Sequence, residues 1–559
     1  MSITRNLEIE ALMEAAAWPD SVMRTLVVLA GQLLGARRIQ EGYALFDKLA
    51  GERQGDALPL TLAGTFQSLL EGQAEEAIAK LDAAAQLDLG LPHYFRGTSL
   101  ARLPGCGGRA ETVVEDLEFV LAVKDRFPAG FTRGMYAGLA PAYELLGRTE
   151  DAEAARARSG RLLTDYWGNP QEGLHFGPPR FVERAPGVYV AQGYDFSDFG
   201  FVLTSDGVVA VDAASTPGNV EEALRELRKI TDLPITHVVL THGHWDHIGG
   251  LSALTGDGAE VIAQVNFPDE LRLQHSGPPP FPYLMPGDHD HRAHVEPDRL
   301  VAEPDKLTIG GVDIELLPIA GGETHDGLIV HLPGKGVVFT GDMSMPYLGA
   351  PFFNEGSAEG LFEAMRLVIG LNPTLLVHGH TGLTLNFTIE AFPGLLAGLQ
   401  DLHATVLSAI ADGLTLAEIL QRNHLPAVLR EHPSSITPFL ATRDNFIQRV
   451  HRQNTGYWHA RGEGVDIFTP QEWAAALDLL GGGTAQAFAN AVTELLHGND
   501  HALALRLADA GLLRHPADGE LTELRGRALD GLIERYQMLN PFKFAYYAGL
   551  AELHLTPVE

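Results

Sequence analysis

Residues 241–250 read T-H-G-H-W-D-H-I-G-G, which places His242, His244, Asp246 and His247 within six positions. Ile235 and the run Val238, Val239, Leu240 stand directly before them and have the character of a buried strand. A strand that stops at Leu240 and opens into a turn containing Gly243 delivers four polar side chains together at the end of a sheet. Imidazole and carboxylate suit borderline divalent metals such as zinc. Cys106 is the only cysteine, so a thiolate cluster and an intrachain disulfide are both excluded. The spacing is that of a metal site.

H-x-H-x-D-H after a strand resembles the signature of the metallo-β-lactamase superfamily, whose fold is an αββα sandwich with metal at the sheet edge. The resemblance points to three further ligands in similar settings. Gly322-Glu323-Thr324-His325 precedes the strand-like Leu328 to Leu332; Val337 to Asp342 is an apolar strand ending in an acid; Leu375-Leu376-Val377-His378-Gly379-His380 is another ending in histidine. By position His325 resembles the third ligand of the first metal, Asp342 the bridging carboxylate and His380 the last ligand of the second metal. His378, two residues earlier, is the alternative, and His380 is favoured because the superfamily places this ligand after a glycine. The implied centre is two divalent ions, expected to be Zn2+, about 3.5–4 Å apart and sharing a hydroxide whose pKa falls to about 7. Asp246 is the catalytic candidate because it could orient that hydroxide. Asp212, at the end of an earlier strand, is expected to support the ligands by hydrogen bonding.

The positioning elements can be read around these residues. Val188-Tyr189-Val190 and Phe201-Val202-Leu203 suggest strands, Asp206-Gly207 a hairpin turn into Val208 to Asp212, and residues 218–230 an amphipathic helix. Residues 274–296 form a Pro-rich insert with the character of a lid, in which Phe281, Tyr283 and Met285 would wall an apolar substrate pocket. His289, His291 and His294 alternate there with Asp288, Asp290 and Arg292, as in a solvated loop.

At 559 residues the chain exceeds a single core. The expected fold class is α/β, a metallo-β-lactamase αββα sandwich over residues 175–390 with helical regions on either side. Residues 1–165 read as α-helical, as a tetratricopeptide-like (TPR-like) array or a plain bundle. Gly72-Gln73-Ala74-Glu75-Glu76-Ala77 and Gly147-Arg148-Thr149-Glu150-Asp151-Ala152 share a phrasing in which glycine opens an Ala-rich helix. Residues 391–559 are helical again. Arg430-Glu431-His432-Pro433, Asn454 to Trp458, the Gly-rich break after Leu479 and Asn540-Pro541-Phe542 follow an order similar to the dimerisation region of the alkyl sulfatases, a branch of this superfamily that cleaves sulfate monoesters. That resemblance implies a homodimer and a sulfuric ester as substrate. It has a departure: His325 and Asp342 stand where those sulfatases present glutamates. Arg430, Arg443, Arg449 and Arg452 are candidate oxyanion binders.

Forty basic against 72 acidic residues give a net charge of −32, which disfavours nucleic acid and anionic lipid surfaces as partners. No run of eighteen apolar residues occurs, so no spanning helix is expected, and the default location is cytoplasmic. The function expected is therefore binuclear metal-dependent hydrolysis of a small-molecule ester, with an alkyl sulfate favoured. The alternatives are another hydrolase of the fold, acting on a lactone, thioester or β-lactam, and a TPR-like scaffold with an idle site.

Overall fold

The computed structural model describes the chain outside residues 1–6, 125–126, 128, 161–162, 165, 170–172, 257, 277–292, 345–355, 456–467, 538–539, 554–555 and 558–559. The chain forms two compact units, one of residues 166–420 and 424–456, the other of residues 1–165, 421–423 and 457–559.

The first unit is built on two sheets. One has seven strands in the order Arg299–Val301, Glu260–Gln264, Ile235–Val239, Val208–Val211, Phe199–Leu203, Val188–Gln192 and Arg180–Ala185. The other has five, ordered Asp305–Ile309, Val312–Gly321, Thr324–Leu332, Val337–Gly341 and Leu375–His378. Side chains alternate across a strand, so a strand covered on both faces must be apolar throughout. Val208–Val211 illustrates this, with all four residues buried. Val209 and Val211 join Val188, Val190, Val239, Leu316, Val330 and Phe339 between the sheets. Val208 and Ala210 face the other way, toward a core shared with Val220, Ala223 and Leu227 of the helix Pro217–Leu227. Each buried valine, leucine or phenylalanine among them contributes roughly 1.5–3 kcal/mol by leaving water, and this sets the register. The αββα expectation is met.

Three longer helices complete this unit. Ala358–Leu371 packs on the strand Val312–Gly321 and is capped by Ser357, whose hydroxyl accepts from Gly360 N–H. Phe392–Ala411 packs on Ile436–Asn454. By length and composition Phe392–Ala411 could cross a membrane, yet its Leu395, Leu399, Leu402 and Val406 are buried in this unit.

The second unit is helical. Gly72 and Gly147 stand in left-handed turns that open Ala74–Leu87 and Thr149–Ser159, and successive helices from Ile39–Glu52 onward pack on their neighbours. Here the division of the chain differs from the expected 1–165, 175–390 and 391–559. Residues 392–420 and 424–454 belong with the sheets, whereas the helices from Pro470–Leu480 to Pro541–Leu550 join the N-terminal ones. Arg535 Nη2 lies 2.9 Å from Glu8 Oε2, and the Gln32 amide donates to the Arg535 carbonyl. The physical reason is plain: amphipathicity tells that a helix has a face to bury, not which neighbour covers it.

Candidate metal centre

Ile235–Val239 runs parallel to both neighbours, Val208–Val211 and Glu260–Gln264. Its C-terminal end therefore opens at an edge of the sheet, where ligand-bearing loops of α/β sheets collect. Beyond it the Thr241 N–H and hydroxyl both donate to Asp212, at 2.7 and 2.8 Å. Asp212 and Ala214 hold positive φ, 64° and 52°, so the loop after Val208–Val211 is bent into a conformation sparse for side-chain-bearing residues. Gly250 N–H donates to the Ala213 carbonyl at 2.9 Å, which fastens the far end of the motif to that loop. In the second sheet Val337–Gly341 runs parallel to Leu375–His378, so Asp342 and His380 emerge at a common edge. The Leu328 N–H donates to the Thr241 carbonyl at 2.7 Å, joining the two sheets at the site.

The side chains gather in two adjoining sets, one of His242, His244 and Glu323, the other of Asp246, His247, Asp342 and His380, all buried. In the first, Glu323 Oε2 lies 3.2 Å from His242 Nε2 and 3.4 Å from His244 Nδ1. In the second, His247 Nε2 lies 3.3 Å from Asp246 Oδ2 and 3.4 Å from Asp342 Oδ2. His380 Nε2 lies 2.8 Å from Asp342 Oδ2 and 3.5 Å from Asp246 Oδ2. The ring centroids of His242 and His247 are 4.2 Å apart, so the sets are contiguous.

His325 is the correction. It is exposed, and Glu323 occupies the place expected of it. Gly321 and Gly322 take φ of 151° and 80°, a bulge interrupts the pairing at Ile319 and Gly321, and the tight turn drives Glu323 inward. From Thr324 the strand alternates, so His325 points out while Asp326 is buried. What His325 does contribute is its carbonyl, which accepts from Gln264 Nε2 at 3.1 Å and Asn266 Nδ2 at 2.9 Å. Glu323 stood in the quoted motif, and the paired glycines before it are the sequence signal for the turn.

At the other strand end, His380 faces the carboxylates and His378 does not. His378 Nε2 lies 2.8 Å from the Phe387 carbonyl and Nδ1 2.7 Å from the Thr340 hydroxyl, and burial pushes its pKa down to about 4. His247 Nδ1 lies 2.8 Å from Asp212 Oδ2, and His380 Nδ1 lies 2.8 Å from the Phe196 carbonyl. Each acceptor holds the Nδ1 proton and leaves Nε2 with its lone pair turned into the set.

The donor set fits divalent cations. Burial opposes a charge on His247, but Asp246, Asp342 and Asp212 raise its pKa well above the ordinary value. Burial likewise opposes protonation of His380, and Asp342 and Asp246 outweigh it, raising the pKa to about 9. Asp342 is buried, yet His380 and His247 hold its carboxyl well below the usual range. The pocket thus demands positive charge. Meanwhile His242 Nε2, His247 Nε2, both Glu323 oxygens and Asp342 Oδ1 are buried without a well-aligned hydrogen bond. Buried polar atoms of this kind require a partner, and a cation bound between them satisfies donors and charge together.

Other anticipated residues lie elsewhere. Phe281, Tyr283 and Met285, with His289 and His291, fall outside the described residues. His294 is solvated and lies 3.3 Å from Glu296. Arg430 and Arg452 are exposed, whereas Arg443 and Arg449 are buried in Ile436–Asn454. Arg443 Nε donates to Asp444 at 2.7 Å.

Two contiguous donor sets at the edge of an αββα sandwich define a metallohydrolase type of architecture, and comparison with known proteins gives the family. The metallo-beta-lactamase superfamily profile matches residues 192–380. A hydroxyacylglutathione hydrolase of Ruegeria pomeroyi is 30% identical over 225 residues, covering 39% of this chain and 72% of that protein. The chain belongs to the metallo-beta-lactamase superfamily. A linear primary-alkylsulfatase of Pseudomonas sp. is 22% identical over 331 residues, 53% of this chain and 62% of that one. The structure of a stereoselective inverting sec-alkylsulfatase from Pseudomonas sp. superposes with a TM-score of 0.55 at 19% identity, covering 68% of this chain and 66% of the other. The likeness to the alkylsulfatase branch therefore extends beyond the sandwich, although the chain spans less than two thirds of these alkylsulfatases.

Proposed function

We propose that the protein is a binuclear metal-dependent hydrolase acting on a sulfuric ester of an alkyl alcohol. The observation that carries this reading is the placement of Glu323 between His242 and His244, beside a second complete set. A glutamate in this position restores one of the two positions at which the sequence seemed to depart from the alkyl sulfatases. At the other, Asp342 stands in place of a glutamate.

Two dications, proposed to be zinc, supply Lewis-acid activation of water and of the scissile group when bound. The chain's own residues do the rest. His242, His244 and Glu323 would hold one ion; His247, Asp342 and His380 the other. Asp246 lies near both His247 and His380 and is placed to orient a reacting water by accepting its proton in a hydrogen bond. Burial of the whole group at a few per cent exposure keeps bulk water from competing for these donors. An idle site would tolerate loss of a ligand, and both sets are intact.

The 30% identity to a hydroxyacylglutathione hydrolase favours a thioester as the second reading. The test is metal content of the purified protein, measured with release of inorganic sulfate from a medium-chain alkyl sulfate and of thiol from a 2-hydroxyacyl thioester. Two metals with sulfate release are expected; two metals with thiol release alone would transfer the assignment to the thioester, and a metal-free protein inactive on both even when zinc is added would end the hydrolase reading.

A homodimer and a cytoplasmic location belong to the same proposal. The helix Pro470–Leu480 leaves Trp473, Leu479 and Leu480 largely exposed, an apolar face that suits a second copy. The single, buried, free Cys106 suits a reducing compartment.

A further inference from the structure

The hairpin loop of residues 193–198 joins Val188–Gln192 to Phe199–Leu203 and contributes no metal-ligating candidate. It nevertheless grips three loops, two of which bear candidate ligands. Asp195, fully buried, accepts from Ser215 N–H at 3.2 Å, from the Ser215 hydroxyl and from Asn219 Nδ2 at 2.6 Å, securing the loop that follows Asp212. The Ser197 hydroxyl donates to the Asp246 carbonyl, and the Phe196 ring stacks on Trp245 at 5.4 Å. The densest contacts go to His380. Phe196 presents its carbonyl to the ring Nδ1 at 2.8 Å; Asp198 N–H donates to the Gly379 carbonyl at 2.6 Å; and the Asp198 carboxylate accepts from the Thr381 hydroxyl at 2.7 and 2.9 Å. Both chain neighbours of His380 are therefore tied to one buried aspartate, and its ring to Phe196 in the same loop.

We propose that the Asp198–Thr381 pair is a positioning device for His380, aiming its Nε2 into the set formed with Asp246, His247 and Asp342. The inference rests on the metal-centre reading above. His380 precedes the short helix Thr381–Asn386, and the side of its ring turned away from the carboxylates is held through Nδ1. Without an anchor at Thr381 the backbone at 379–381 gains freedom, and with it the direction of Nε2. The first set has no link through Thr381 among the described residues, so the device acts on one of two metals. Orienting partners of ligating histidines typically change metal affinity by about 10–100-fold.

The experiment compares Thr381→Val, which keeps shape and removes the hydroxyl, with Thr381→Ser, which keeps the hydroxyl. Zinc affinity of each site is measured in the full chain by competition with a chromophoric chelator, alongside thermal unfolding of the metal-free protein. Thr381→Val is expected to bind the first zinc as the parent does and the second about 10–100-fold more weakly; Thr381→Ser is expected to bind both as the parent does. Equal weakening of both sites, or parental affinity at both in Thr381→Val, overturns the positioning role while leaving the metal centre standing. A parent protein that binds no zinc overturns both.

Discussion

Exchanging the roles of Glu323 and His325 gives the sharpest separation between spacing and geometry. Glu323 is 4% exposed and has one oxygen within 3.4 Å of two histidines, whereas the His325 side chain is in solvent. In a four-ligand structural zinc site the binding free energy is about 10–16 kcal/mol, or roughly 2.5–4 kcal/mol per ligand. At 1.4 kcal/mol per factor of ten, Glu323→Gln should weaken the first metal by about 10²–10³-fold. The amide preserves volume, so the fold should survive the change. His325→Ala leaves intact the carbonyl that Gln264 and Asn266 hold, and a surface substitution of this kind should stay within about 0.5 kcal/mol in stability with metal affinity unaltered. Chelator competition gives the affinities, and atomic emission counts the metals. If His325→Ala loses the first metal while Glu323→Gln keeps both, the turn at Gly321 and Gly322 is misplaced and the ligand assignment falls with it.

Two further outcomes follow from the packing of the second set. A Cβ on Gly379 would lie 2.1 Å from Asp342 Oδ1 and 2.6 Å from His247 Cε1, so Gly379→Ala must push Asp342 aside and should bind one metal instead of two; two metals bound with parental affinity would contradict this close approach. Asp212 accepts from Thr241 twice and faces His247 Nδ1, so Asp212→Asn sets an amide N–H against a donor. A loss of about 1–3 kcal/mol in stability and about 10–100-fold in affinity at the His247 metal should appear in thermal melts and metal competition, and an unchanged protein would show that Asp212 does not orient His247.

Much of the site was legible because its residues follow apolar strands. Val208–Val211 and Val337–Gly341 are buried throughout and Ile235–Val239 and Leu375–His378 in part; each leads into polar residues, and a sheet places such ends together. His325 was misread because the turn before its strand follows a bulge at the end of the preceding one. Counting from Leu328 by twos does not reveal that the two glycines turn the acid inward and leave His325 outside. The clamp at residues 193–198 was hidden for a different reason: its contacts reach residues 215, 246 and 381, far away in sequence, and rest partly on backbone carbonyls that no side-chain pattern encodes. Helices were recognisable in both flanking regions, but their partners were not, since Leu529, Leu532 and Ile533 look alike whichever helix they meet.

The helical unit draws on both sides of the sandwich in the chain, and this gives it a schedule. Gln32 and Arg535, bonded in the folded protein, are 503 residues apart. At roughly 5–20 residues per second, ribosomal synthesis separates them by on the order of half a minute to two minutes. Throughout that interval Leu7–Ala16 and Met23–Gly35 exist without the helix Gly519–Tyr536 that later meets them, and the intervening sandwich is synthesised in full before that helix emerges. The helices Leu7–Ala16 and Met23–Gly35 are thus made well before the helix that packs on them, and the part of their surface it covers stays open during elongation.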